Sequence, residues 1–308
     1  MLFFNMNILG GVSIGFLGYT LFVVLDTIIK KYLANDYSVF QINFYICLFS
    51  FIPTILTIYF LKAWNTLKND LIFIQLLRGI FGLISGAFVV NSFRSHALNE
   101  IYPIMFSAPM FLIILSHFFL GEKVGIRRWS AVLIGFIGVL IVSRPGTIHF
   151  TMSYLGLFVS AFLIAINIAL VRKFSKNHSS ISFTFYAFLS AAIINGLLAM
   201  NNYIAMTLND TMILILCGII CGVGGNFLTM ASKNLESSVF APIQYTQLFS
   251  GIILGYLVFN DLPDIFEIIG STIIILSGVY IIYRETIIGV RPFNKKETRF
   301  RDEFNRGH

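Results

Sequence analysis

FIQLLRGIFGLISGAFVV, residues 73–90, holds a single charge, Arg78, in eighteen residues. Coiled as a helix it rises about 27 Å, close to the roughly 30 Å of hydrocarbon in a bilayer. The rest of the chain is built in the same way. Of 308 residues, 57% are hydrophobic and 11% charged, with 33 Phe, whereas a soluble domain carries about 25% charged residues. Composition therefore marks an integral membrane protein. The formal charge of +7 does not point to nucleic acid, because the basic residues sit in short connections and in the tail. The N-terminal MLFFNMN lacks a basic segment, and no small-residue cleavage site follows the first apolar run, which reads as a retained helix.

Working outward, apolar runs of spanning length fall near residues 8–29, 39–61, 71–94, 100–121 and 127–144, and again near 152–172, 180–201, 211–232, 237–259 and 265–283. Charge and turn residues collect between them, in KAWNTLKND, GEKVGIRR, RKFSKNHSS and NDLPD. Helix-length runs without ten-residue alternation exclude a β-barrel reading. The fold expected is an all-α membrane protein with ten transmembrane helices. With a cytoplasmic N-terminus, sixteen Lys and Arg fall inside and four outside, namely Lys30, Lys31, Arg94 and Arg144. The positive-inside rule then places both termini in the cytoplasm. Trp64 and Trp129 fall at span ends, as interfacial anchors do.

The two halves match. Pro103…Gly121-Glu122 aligns with Pro242…Asn260-Asp261 at a shift of 139, and GVLIVSR (138–144) with GVYIIYR (278–284) at a shift of 140. Five spans is an odd number, so the second copy must lie upside down. The charges agree: Lys123, Arg127 and Arg128 in the fourth connection of the first half face Asp261, Asp264 and Glu267 in its counterpart. The expected units are an inverted pair of five-helix repeats, 8–146 and 152–284, followed by a basic, disordered cytoplasmic tail, 285–308, resting on anionic headgroups. Inverted repeats are a mark of secondary transporters, in which two halves rock about a midplane site.

Residues 77–146 resemble the EamA family of the drug/metabolite transporter superfamily. The resemblance rests on the spacing from Pro109 to Leu120-Gly121-Glu122, on Arg127-Arg128-Trp129, and on Gly135-Phe136-Ile137-Gly138-Val139 ahead of Arg144-Pro145-Gly146. It extends more weakly to the second half, where Asn260-Asp261 replaces Gly-Glu. It implies ten helices in two inverted repeats and a central cavity lined mainly by spans 1, 3, 4, 6, 8 and 9, with spans 5 and 10 peripheral. It also implies a small organic metabolite as cargo. The first half is similar to bacterial proteins identified as riboflavin or S-adenosylmethionine importers.

Polar residues inside apolar spans mark the candidate site, because a polar group facing lipid is unfavourable. Arg78, Asn91, Tyr102, Phe106, Asn167, Asn226, Gln244, Tyr245 and Gln247 are the substrate-cavity candidates, with the three aromatics able to stack on a flat ring. Arg78 has two readings: a side chain snorkelling to the inner headgroups, or a cation on the cavity wall. Asp26 is the proton-coupling candidate, against the plainer reading of a helix-end charge paired with Lys30 one turn on. Gly-xxx-Gly at 11/15, 82/86, 218/222 and 251/255 reads as close helix packing, and Pro103, Pro109 and Pro242 as kinks. His117 reads as a hydrogen-bonder near the inner end of span 4. Cys47, Cys217 and Cys221 read as small packing residues. Gly11-Val-Ser-Ile-Gly15 matches a hydrolase elbow but opens a membrane helix, out of the strand–turn–helix context that motif requires. No Walker motif is present.

The function expected is secondary-active transport of a small metabolite such as riboflavin, S-adenosylmethionine, an amino acid or a nucleoside across a bacterial inner membrane by alternating access. No enzymatic activity, cofactor, metal or nucleic-acid partner is expected; the lipid bilayer and the metabolite are the partners, and a homodimer is left open. The rival readings are a non-transporting receptor or scaffold, and a membrane-embedded transferase.

Overall fold

The apolar runs fold as helices, which satisfy every backbone polar group within one segment, as hydrocarbon requires. A computed structural model describes residues 8–68, 71–121, 125–144, 152–174, 179–235 and 237–286, and among these residues there is no strand. Glu122, Lys123, Pro145-Gly146 and the tail beyond residue 286 lie outside the described residues, as do the side chains of Pro103, Arg127 and Arg128.

The first half holds α1 (Ile8–Tyr32), α2 (Val39–Phe60), α3 (Ile72–Ser92), α4 (Leu98–Met105), α5 (Ser107–Phe119) and α6 (Ile126–Ser143). The second holds α7 (Met152–Phe174), α8 (Ser180–Ala199), α9 (Leu208–Asn234), α10 (Ser237–Ile243), α11 (Thr246–Phe259) and α12 (Ile265–Thr286). Among the described residues, seven helical segments are long and apolar enough to cross a membrane, α4 and α5 counting as one run, Glu100–Phe119. Shorter apolar stretches occupy Trp129–Val142, Phe249–Phe259 and Ile265–Tyr280. Two expected spans are broken helices. Span 4 divides at Phe106 and span 9 at Gln244-Tyr245.

The second break supplies what the first lacks. The Gln244 side-chain amide donates to the Met105 carbonyl (3.4 Å), a group left free where α4 stops. Phe106 meets Tyr245 edge to face, with ring centroids 5.6 Å apart. Pro109 sits in the first turn of α5, where its missing N–H costs nothing.

Helix pairings recur in equivalent sets. α1 packs on α9 and α11, as α7 packs on α3 and α5; α2 packs on α9, as α8 packs on α3; α6 packs on α12. Small residues permit the crossings. A Cβ on Gly218 would lie 2.3 Å from Phe49 Cβ, and one on Gly79 would lie 1.7 Å from Ser190 Oγ. Hydroxyls tie the same crossings, Ser50 donating to the Gly218 carbonyl at 3.0 Å and Ser190 to that of Leu76 at 3.0 Å. α2 and α8 lie antiparallel: Gln41 near the start of α2 exchanges two hydrogen bonds with the backbone of Ile204 beyond α8, while Tyr186 near the start of α8 donates to Leu67 beyond α2.

The bundle keeps its buried polar side chains inside a largely apolar core and turns further large apolar side chains outward, where a soluble fold would place polar ones. On α3, Phe73, Ile80, Ile84 and Phe88 face outward, while Gln75, Arg78, Gly79 and Ser85 are buried. Lipid accounts for that exposed face, as it does for Phe16, Leu17, Phe249 and Leu257 on α1 and α11.

Candidate functional site

A cavity of about 370 Å³ opens between the helices of the two halves, within the size range of small-molecule sites. It is lined from α1, α2, α3, α4, α7, α8, α9 and α10, with Gln244 from the second break and Gln247 from the first turn of α11. Among the described residues none of α6 or α12 lines it, in keeping with the peripheral role expected of spans 5 and 10. α2 and α8 were not expected on the wall. They reach it because Asn43, Ile46 and Cys47, and Thr184, Phe188 and Asn195, occupy the helix faces turned from lipid.

Arg78 enters from α3 and is 7% exposed. Its Nε donates to Asn167 Oδ1 on α7 at 2.6 Å, and its Nη1 to the Phe183 carbonyl on α8 at 3.0 Å. The Asn167 amide returns a bond to the Arg78 carbonyl at 2.9 Å, and the guanidinium lies over the Phe183 ring, 5.4 Å from its centroid. The side chain thus turns into the bundle and does not snorkel toward headgroups. Every partner is neutral, and among the described residues no carboxylate pairs with it.

Asp26 enters the same cavity from α1. Tyr102 on α4 donates its hydroxyl to Asp26 Oδ2 at 3.1 Å. The expected Lys30 pairing does not form: Lys30 Nζ instead donates to the His96 carbonyl and lies over the Phe259 ring. One helical turn separates the two residues, but the Lys30 side chain is drawn away to the end of α3 and α11.

Arg78, Tyr102, Asn167, Gln244, Gln247 and Asp26 therefore share one cavity. Phe106 and Tyr245 are buried beside it, filling the space between the two helix breaks. Asn91 is exposed at the last turn of α3, and Asn226 on α9 lies off the lining with a buried, unpartnered Oδ1. Asn43, Ser85, Thr184, Asn195 and Thr229 line the cavity without having been singled out in the sequence. Asn43 Nδ2 and Asn195 Oδ1 are buried without partners.

The Gly82/Gly86 pair serves this space rather than helix packing. A Cβ on Gly82 would find only Asn167 Nδ2, at 3.9 Å, and one on Gly86 would meet nothing nearer than Asn43, at 3.6 Å. Ser13 of the hydrolase-like motif is exposed and spends its hydroxyl on the Leu9 carbonyl one turn back, an ordinary helical bond. His117 is exposed on α5 and stands edge-on to Trp129. Cys47, Cys217 and Cys221 are free thiols.

The EamA-like transporter family matches this chain twice, over residues 9–144 and 151–284. An S-adenosylmethionine uptake transporter of Rickettsia bellii (strain RML369-C) is 29% identical over 264 residues, 84% of this chain and 89% of its own. A riboflavin transporter of Vibrio cholerae is 30% identical over 185 residues, 59% of this chain and 62% of its own. A protein of known crystal structure, 14% identical, shares the fold with a TM-score of 0.70 over 90% of this chain and 97% of its own. The chain belongs to the EamA-like transporter family of the drug/metabolite transporter superfamily and is a multi-pass membrane transporter, not an enzyme.

Proposed function

We propose that the protein takes up a small organic metabolite across a bacterial inner membrane by alternating access. Its ten helices form two inverted repeats, 8–146 and 152–284, with both termini in the cytoplasm. The observation that carries this reading is the cavity itself: it lies between helices of both family-matching segments and gathers one cation, one carboxylate and several amides in an otherwise apolar wall. Such a site suits a hydrated organic molecule better than a lipid tail. Two facing helix breaks, one per half, supply backbone that can rearrange as the halves rock.

Arg78, Tyr102, Asn167, Gln244 and Gln247 are the substrate-contacting residues, and Asp26 takes up the coupling proton. The names of the relatives support S-adenosylmethionine and riboflavin as the first cargoes to try. Purified protein in proteoliposomes, with an imposed proton gradient, is expected to accumulate at least one member of a panel of S-adenosylmethionine, riboflavin, amino acids and nucleosides. Failure to move any of them would overturn this reading of its cargo and of its coupling.

A further inference from the structure

The charges in the cavity are not used up by the protein. Arg78 is more than nine-tenths buried, yet its partners are an amide oxygen, a backbone carbonyl and an aromatic face. A guanidinium withdrawn from water is costly unless an anion accompanies it. Asp26, the carboxylate of the same cavity, does not serve. The ends of α1 and α3 are level, because Arg94 beyond α3 donates to the Ala34 and Tyr37 carbonyls beyond α1, each at 2.8 Å. Counting back from Tyr32 and Ser92, Asp26 lies six residues from its end and Arg78 fourteen from its own. Eight residues of helix separate their levels by about 12 Å. Tyr102 holds Asp26 at its own level.

We infer that Arg78, braced by Asn167, is the binding subsite for an anionic group, a carboxylate or phosphate, on the transported metabolite. This rests on the transport reading and narrows its substrate class. Asn167 engages Nε and the Phe183 carbonyl engages Nη1, which leaves Nη2 of this cavity-lining side chain as the nitrogen available to a ligand. Gly82, one turn along α3, leaves room at the same wall where a side chain would close it. The distance to Asp26 keeps the bound anion clear of carboxylate repulsion. The occupant is thus elongated, anionic at the Arg78 end and hydrogen-bonding at the end held by Asp26 and Asn43, with Phe22 and Leu83 among the apolar groups of the wall. An uncharged metabolite leaves Arg78 without a counter-ion and is disfavoured.

Two pairs of probes, each differing in the anionic group alone, test this: S-adenosylmethionine against its decarboxylated form, and flavin mononucleotide against riboflavin. Equilibrium binding to the full chain in nanodiscs and uptake into proteoliposomes are measured separately. In at least one pair the anionic member is expected to bind about tenfold or more tightly than its partner, as charge-assisted hydrogen bonds allow. Arg78→Gln is expected to erase that preference, and Arg78→Lys, which keeps the charge, to retain part of it. A preference that survives Arg78→Gln, no preference in either pair, or no binding of any of the four compounds overturns the subsite. Binding with the expected preference but without uptake overturns the transport reading and leaves the subsite standing.

Discussion

Asp26 sits in a bilayer helix with a phenol, not a cation, as its partner. A carboxylate in that setting costs about 3 kcal/mol at the bilayer centre and less toward an interface, and the Tyr102 hydroxyl offsets only part of it. Gaining a proton removes the charge, so its protonation can follow the side of the membrane to which the cavity opens. Asp26→Asn is expected to bind substrate and still equilibrate it across the bilayer, but to lose accumulation driven by a pH gradient and to flatten the dependence of uptake on pH. Uptake by the variant that keeps the wild-type pH profile would remove Asp26 from coupling. Arg78 and Asp26 were legible in the sequence because a charge inside an apolar run is conspicuous. Asn43 and Asn195 were not. Each is an amide four residues from a helix end, where polarity is ordinary, and only the packing of α2 and α8 turns them into the cavity.

The spacing of apolar runs placed the helices to within a few residues, since hydrocarbon thickness fixes their length. Breaks at Phe106 and Tyr245 were less legible: proline marks the neighbourhood, but the point of rupture depends on which carbonyls find a new partner, as Met105 does in Gln244. Glycine spacing was more misleading, because the pattern does not say what stands opposite. On α3, a Cβ at Gly79 would collide with Ser190 Oγ and come within 2.4 Å of the Ala187 carbonyl on α8, whereas one at Gly82 meets nothing closer than 3.9 Å. Gly79→Ala is therefore expected to separate α3 from α8, break the Ser190–Leu76 hydrogen bond and destabilise the protein by about 1–3 kcal/mol, the usual cost of overpacking. Gly82→Ala is expected to leave stability unchanged and to trim the cavity beside Asn167. Thermal unfolding of the two variants in one detergent separates them, and equal loss in both would mean that α3 packs by its glycine pattern after all.

At the scale of the whole molecule, the two halves meet through equivalent helix pairs, and what remains is their sense relative to the membrane. The connection between α2 and α3 lies at the end of α2 beside the start of α8, where Tyr186 bonds to Leu67. The connection between α8 and α9 lies at the opposite end, where Gln41 at the start of α2 grips Ile204. α2 has 22 residues, so these two corresponding connections stand about 33 Å apart along it, the separation that the proposed inverted repeats need to put them on opposite faces of a bilayer. Inverted repeats require that separation, and parallel repeats would put both connections on the same face. Asn65 and Asn202 are exposed, one in each connection. A cysteine at Asn202 is expected to react with a membrane-impermeant maleimide on intact cells, and a cysteine at Asn65 only after permeabilisation, with the parent chain and its three native cysteines as the blank. Labelling of both from one side would refute the inverted arrangement, and with it the rocking of two halves about the cavity. Labelling on opposite sides but in the reverse order would keep the inversion and place the termini outside, against the sixteen-to-four division of basic residues.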